Sequence, residues 1–457
     1  MPIERPARSG MGSAAWAARI ARDPISATRA LHREHGPFIR AELPFRIKGG
    51  SSRVDLIADA ELYKTVMSDS ELWQNVQITW DGLPNHASSR LSMGMTRLKG
   101  ERHEHYRKMF IAPLKRPVVA AMSPEMARVA AGEMAKWPRN RPVDLQHAVT
   151  VMTTKLAVAL LFGSDFDRAL PITDLITRQF KAFRVLPGRQ YLRWIWNAGR
   201  QEKVIMEWAE EKRGNPDACD LLSVLVNNPD LDGSRPSPAI ICGIICFLYA
   251  AAYDTCLNGI TWTLLLLTQH PEIMEALTAE IGGAVQGELP TMDRIGQLLL
   301  LDRVIREGMR LIPPVPLQMR KAMRGTTLGG ETVQYRERVL ISGHLIGRDP
   351  DIYPEPDRFL PERWRSIKPS PFQYPVFGAG GHMCPGIVFG LQMVKIALST
   401  ILTAGRVELA RDMPVAYRTA VTMQPVGRVE VVLRDHGEKP RNPRASGGLA
   451  ELVALPA

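Results

Sequence analysis

Apolar and polar positions change rhythm three times along this chain. Between Pro37 and Asp59 they form short extended runs, with Phe38–Ile39 and Val54–Asp55–Leu56–Ile57 flanking a turn at Lys48–Gly49–Gly50–Ser51. From Asp59 to Thr291 the spacing is helical, broken at Pro and Gly clusters. Strand-like pieces return around Thr326–Ile341 and at Arg406–Leu433. The pattern predicts a mainly α fold with a small β region supplied by both ends of the chain. From Asp435 onward Pro, Gly and Arg give way to a short apolar stretch, which reads as a loose tail.

One predicted helix is unusually long. Ser237 is suited to cap a helix whose first residue is Pro238, and the next proline is Pro271. At 1.5 Å per residue the element would run roughly 50 Å. Ala239 to Ala252 are apolar nearly all round, which argues for burial. That run is too short to span a bilayer and stops at Asp254, so a central buried helix is expected rather than a membrane anchor.

Composition adds bounds. The 457 residues would allow about three domains, yet no linker, repeat or low-complexity segment divides them. One unit over residues 37–434 is expected, with an N-terminal segment (1–36) and the tail (435–457). The formal net charge is +11, from basic residues scattered without a long Lys/Arg run or an aromatic-interleaved RNA motif. Nucleic acid is therefore not expected. An acidic protein partner and a merely solvated surface both remain open. Five cysteines at irregular spacing (Cys219, Cys242, Cys246, Cys256, Cys384) do not resemble a disulfide framework and suit a reducing compartment. The first forty residues carry Arg, Asp and Glu and no apolar leader, so a cytoplasmic location is expected. Cys242 and Cys246 are four apart with no further ligand nearby, which suits core packing better than metal.

The chemistry centres on Phe377–Gly378–Ala379–Gly380–Gly381–His382–Met383–Cys384–Pro385–Gly386. Glycines let backbone amides turn toward one sulfur, and a helix starting at or near Cys384 favours its thiolate. Such a nest suits the axial ligand of a heme iron. The alternative, a buried free Cys beside a tight turn, leaves three glycines and a His without a packing reason.

These ten residues resemble the cysteine-loop signature of the cytochrome P-450 family, F-G-x-G-x-H-x-C-x-G, at every defined position. The resemblance implies a triangular helical domain with a long central helix over heme b (iron protoporphyrin IX). Cys384 would be the axial thiolate, Phe377 would pack near the sulfur, Gly386 would complete the loop, and His382 would face a propionate. Glu307–Gly308–Met309–Arg310 looks like the family's E-x-x-R element, with Arg363 as third member; the trio reads as structural support. Ala251–Ala252–Tyr253–Asp254–Thr255–Cys256 resembles the oxygen-activation segment A-G-x-D-T-T. By that likeness Asp254 and Thr255 manage protons for dioxygen, while Ala251, Ala252 and Tyr253 are candidate substrate contacts. Two departures stand out: Ala252 replaces the usual Gly, which points to a narrower space above the heme with Tyr253 adding bulk nearby, and Cys256 replaces the second hydroxyl residue. His103, Arg107 and Arg320 match positions that bind propionates. His344 and Asp349 also fall in a family-like stretch and carry no catalytic role. The run Arg189–Trp196 is open as a membrane-touching patch, a substrate lid or an ordinary helix face.

The implied function is a heme monooxygenase that inserts one atom of dioxygen into a small lipophilic substrate. No flavin or ferredoxin module follows the Cys loop, so a ferredoxin-type donor with its flavin reductase is expected. A peroxide-driven peroxygenase and a non-catalytic heme-thiolate sensor or carrier are the rival readings. Loops between Trp73 and Leu98, and the Val185–Trp196 region, would shape the pocket.

Overall fold

A computed structural model describes residues 7–8, 13–42, 52–76, 82–163, 166–183, 188–215 and 220–456. The turn at Lys48–Ser51, Cys219, and the Val185–Pro187 part of the lid region lie outside them, as do residues 77–81 of the pocket loops.

Helices dominate, and the longest is Pro238–Thr268. Ser237 sits at its N-cap in extended geometry, but its side chain makes no capping bond; Pro238 opens the helix as expected. The helix continues well past the apolar run, for 31 residues, and ends one turn before Pro271. The expectation that the segment is too short for a bilayer therefore needs correcting. Among the described residues three helices, Leu145–Phe162, Pro238–Thr268 and Ile387–Ala404, could cross a membrane on length and composition, with mean hydropathies of 1.4, 1.9 and 1.8. Most of each is buried inside the protein. Ile241, Ile244, Ile245, Cys242 and Cys246 sit in one core with Leu156, Leu160 and Leu161 of the neighbouring helix. The two cysteines are therefore packing residues.

Small residues permit the close crossings. A Cβ on Gly243 would lie 2.1 Å from the carbonyl oxygen of Met93, so the 82–98 segment rests directly on the central helix. A Cβ on Gly308 would lie 2.7 Å from Thr263 Oγ1, which seats the helix Leu299–Leu311 against the same helix.

The β region does come from both ends of the chain. A six-stranded sheet runs in the order Ala7–Arg8, Phe38–Glu42, Arg53–Ile57, Arg338–Ser342, Leu317–Ala322, Trp73–Asn75. Arg53–Ile57 pairs antiparallel with Phe38–Glu42 and parallel with Arg338–Ser342, with Val54 opposite Arg338. At the other edge Asn75 faces Arg320. A second sheet joins Arg406–Leu409, Glu430–Arg434 and Pro142–Asp144, and a hairpin joins Ala416–Thr419 to Met423–Val426.

The loose tail is not what the structure shows. Ala445–Ser446 pairs in parallel with Met413–Pro414, and a short helix follows at Gly448–Leu452. Leu449, Leu452 and Val453 are buried, and Ala454 N donates to Asp357 O at 2.8 Å. Three apolar side chains in so short a stretch are enough to dock it.

Candidate active site

The Cys loop is held by its own backbone. Cys384 N donates to Phe377 O at 2.8 Å, closing the loop between the two residues. Gly378 and Gly380 have φ of 70° and 60°, a conformation that favours glycine. Packing also needs one of them: a Cβ on Gly380 would lie 2.2 Å from Met67 O, under the helix Ala60–Ser68. The expectation that the glycines serve no packing purpose was incomplete. The following helix begins at Ile387, with Gly386 as its N-cap, so Cys384 lies just outside it rather than at its start.

The Cys384 thiol is exposed on one side. The protein mass around it still desolvates it, and that burial pushes the thiol up, against the Gly386 N–H and the Arg107 charge, which pull it down. Phe377 is half-buried beside Tyr374, with ring centroids 6.5 Å apart.

Four predicted propionate residues meet on one side of this loop. His103 and Arg107 lie on the helix Gly100–Ile111. Arg107 Nη2 donates to Met383 O at 2.6 Å, and the His103 and His382 rings are 6.2 Å apart. Burial first, then Arg320, His103 and Arg107, lowers His382 to about 4. Arg320, almost fully buried, is itself lowered to about 10 by desolvation. Among the described residues no carboxylate pairs with any of the four. His382 Nε2 and Arg320 Nε are buried without a partner. Cationic and donor groups gathered without an anion suit a ligand that brings its own carboxylates. The heme implied by the Cys loop carries two, and the residues present fit it.

Behind the loop lies an ion cluster centred on the fully buried pair Glu307 and Arg310. Arg310 Nε and Nη2 donate to Glu307 Oε2 and Oε1 at 2.9 and 2.8 Å. Arg363 Nε reaches Glu307 Oε1 and Trp364 Nε1 reaches Oε2, each at 2.9 Å. Arg310 Nη1 also bonds the carbonyls of Gly347 and Pro356. The sequence reading did not find Trp364 or Tyr353, whose ring lies 5.0 Å from the Arg310 guanidinium.

On the opposite side, the central helix borders a cavity of about 310 Å³. Ala251, Asp254 and Thr255 line it, with Phe247, Leu91, Phe180, Val315, Leu317 and Val421. Thr255 Oγ1 donates to Ala251 O at 2.6 Å, while Asp254 Oδ2 accepts from Thr422 Oγ1 at 2.6 Å. Ala252 and Tyr253 are not where the sequence reading put them. At 100° per residue they turn away from Ala251 and Thr255. Ala252 packs against the core, and Tyr253 stacks on Tyr249 with centroids 5.4 Å apart. Neither lines this cavity. Cys256 is also buried, near Gly390 O.

None of Arg189–Trp196 lines this cavity. Trp194 faces the core, whereas Leu192 and Trp196 are 67% and 89% exposed. Residues missing from the sequence reading include Gln179, which donates to Leu91 O and accepts from Gln201, and Thr422. Gly243, a glycine inside an apolar helix, signals the close approach of Met93 and not either of these two residues.

Known proteins are similar over most of this length. The chain is 26% identical to cyclooctat-9-en-7-ol 5-monooxygenase of Streptomyces melanosporofaciens, covering 81% of this chain and 83% of that one. It is 24% identical to pentalenene oxygenase of Streptomyces avermitilis, covering 82% and 87%. Retinoic acid bound cyanobacterial CYP120A1 shares the fold at a TM-score of 0.76 and 21% identity, over 89% of this chain and 93% of that one. The family model described as Cytochrome P450 matches residues 5–430, and with the Cys loop, the buried Glu–Arg cluster and the long central helix in place, the chain belongs to the cytochrome P450 family.

Proposed function

We propose that this heme-thiolate monooxygenase oxidises a terpenoid-sized hydrocarbon skeleton, bound in the cavity beside Ala251 and Thr255. The observation that carries the reading is the cavity itself, about 310 Å³, whose surface is mainly apolar, from Leu, Phe, Val, Ala and Met, and which also meets nine polar residues, Arg320 among them. Two similar proteins named for oxidation of terpenoids support it.

Residue roles follow from the chemistry at each place. Heme, when bound, supplies the electron transfer and dioxygen activation. Cys384 would be its axial ligand, and Phe377 and Gly386 would shape the loop around the sulfur. His103, Arg107, Arg320 and His382 would hold the propionates. Glu307, Arg310 and Arg363 would brace the loop from behind. Asp254 and Thr255 would pass solvent protons to the oxygen side of the cavity, with Ala251 against the guest. Residues 37–434 would act as one unit.

Electrons would come from a ferredoxin-type donor and its flavin reductase, in the cytoplasm. Lys108, Lys115 and Arg116 are exposed on or just after the helix that carries Arg107, one contact from the Cys loop, which suits an acidic partner.

The test has two stages. A terpenoid library is screened by heme absorbance, and a binding shift is expected with at least one member. Turnover of that binder is then measured with ferredoxin and reductase, with NADPH alone, and with peroxide alone. Product only in the first case is expected; rapid product with either of the others sinks the partner assignment.

A further inference from the structure

The hairpin turn between Ala416–Thr419 and Met423–Val426 packs on the central helix and meets its Asp254 with a side chain. Thr422 Oγ1 donates to Asp254 Oδ2 at 2.6 Å, and the two residues are only 3% and 7% exposed. The hydroxyl donates and the carboxyl oxygen accepts, at a length typical of a strong O–H···O bond.

The turn is pinned on both sides of the next residue. Met423 N donates to Pro314 O at 3.0 Å, and Trp262 Nε1 on the central helix donates to Met423 O at 3.0 Å. Ala420 N donates to Thr422 O at 3.2 Å. Thr422 therefore sits on a backbone coupled both to Pro314 and to the central helix. Its neighbour Val421 is 39% exposed, and both line the cavity with Ala251 and Thr255. A single short turn thus touches the guest space with one residue and the acid with the next.

We propose that Thr422 is a positioning residue for Asp254, tying the acid to the cavity wall so that a guest pressing on Val421 sets where the carboxylate points. The proposal rests on the monooxygenase reading and on Asp254 as a proton-handling group. The balance of the reaction shows what positioning controls. Productive turnover converts R–H, dioxygen, two electrons and two protons into R–OH and water. With protons delivered out of place, the same two electrons and two protons reduce dioxygen to hydrogen peroxide and leave R–H unchanged. The share of electrons ending in product therefore reads the position of the acid.

The experiment uses the heme-loaded full chain and the strongest binder from the terpenoid screen, in four forms: wild type, T422V, T422S and D254N. T422V removes the hydroxyl and keeps the shape; T422S keeps the hydroxyl. Two readouts are taken: the product-to-peroxide ratio per NADPH, and the infrared carboxylate band of Asp254, assigned by its loss in D254N. In the wild type the guest is expected to shift that band. In T422V the shift should vanish and the ratio should fall roughly fivefold, the scale of one hydrogen bond. T422S should recover most of both. A T422V protein that keeps the wild-type ratio and the guest-induced shift overturns the proposal. A D254N protein with a wild-type ratio overturns instead the role of Asp254, and so separates that failure from this one. Thermal unfolding of each form shows whether a loss is merely one of folding.

Discussion

Glu307 accepts from the side chains of Arg310, Arg363 and Trp364 and from the backbone of Leu360. Removing it by Glu307→Ala leaves two guanidiniums without their counter-charge in a buried place. A loss of about 3–5 kcal/mol is expected, read as a lower urea midpoint together with weaker heme retention; an unchanged midpoint would contradict it. A second buried group gives a pH effect. His344 is fully buried, accepts from Arg348 Nη1 at 3.1 Å, and lies near Arg29 and Arg310, with Asp357 paired to Arg348. Burial first, then those three arginines, pushes its pKa well below 6.5. The unfolded chain thus binds a proton that the folded chain refuses, so stability falls as pH drops below about 6.5, by about 1 kcal/mol per unit. Denaturation from pH 7 to 5 should show a slope of this sign, and His344→Gln should make it shallower, with His382 among the groups that supply the remainder. At this scale the sequence was informative where partners lie close together: Glu307 and Arg310 share a helix face. It was silent on Trp364 and Thr422, because their partners arrive from distant loops that no local spacing records.

Among the elements, the central helix was the most legible, since Ser237–Pro238 and Pro271 mark its ends. The direction of its faces was not. A helix that is apolar all round has no stripe to show which side meets a cavity and which meets the core. That is why Ala252 and Tyr253 were misplaced while Ala251 and Thr255 were not. Gly243 offers a test of the packing that fixes those faces. Gly243→Ala would put its Cβ 2.1 Å from Met93 O, against backbone that cannot swing aside. A destabilisation of about 1–3 kcal/mol is expected. The 82–98 segment should lift from the helix, seen as faster amide exchange there than in the wild type.

For the molecule as a whole, the fold class was readable and the tail was not. Pro, Gly and Arg in residues 435–444 look disordered by composition, yet Leu449, Leu452 and Val453 find a groove beside Val415 and Asp357. Stopping the chain after Arg444 removes those three side chains, each contributing about 1.5–3 kcal/mol on an upper estimate. The shortened protein should unfold at a clearly lower temperature; an equal melting temperature would show that the docking adds nothing.

The parallel pairing of Arg53–Ile57 with Arg338–Ser342 sets an order of events during synthesis. An early strand must wait, with one edge open, until its partner has left the ribosome much later. Pairings so distant in sequence form slowly and leave the waiting edge exposed to wrong contacts. The helix Ala60–Ser68 that follows this strand supplies Met67, the floor under Gly380. The nascent chain can therefore close its cysteine loop only after more than three hundred further residues have followed Met67, which delays cofactor capture and makes low expression temperature a direct aid to yield.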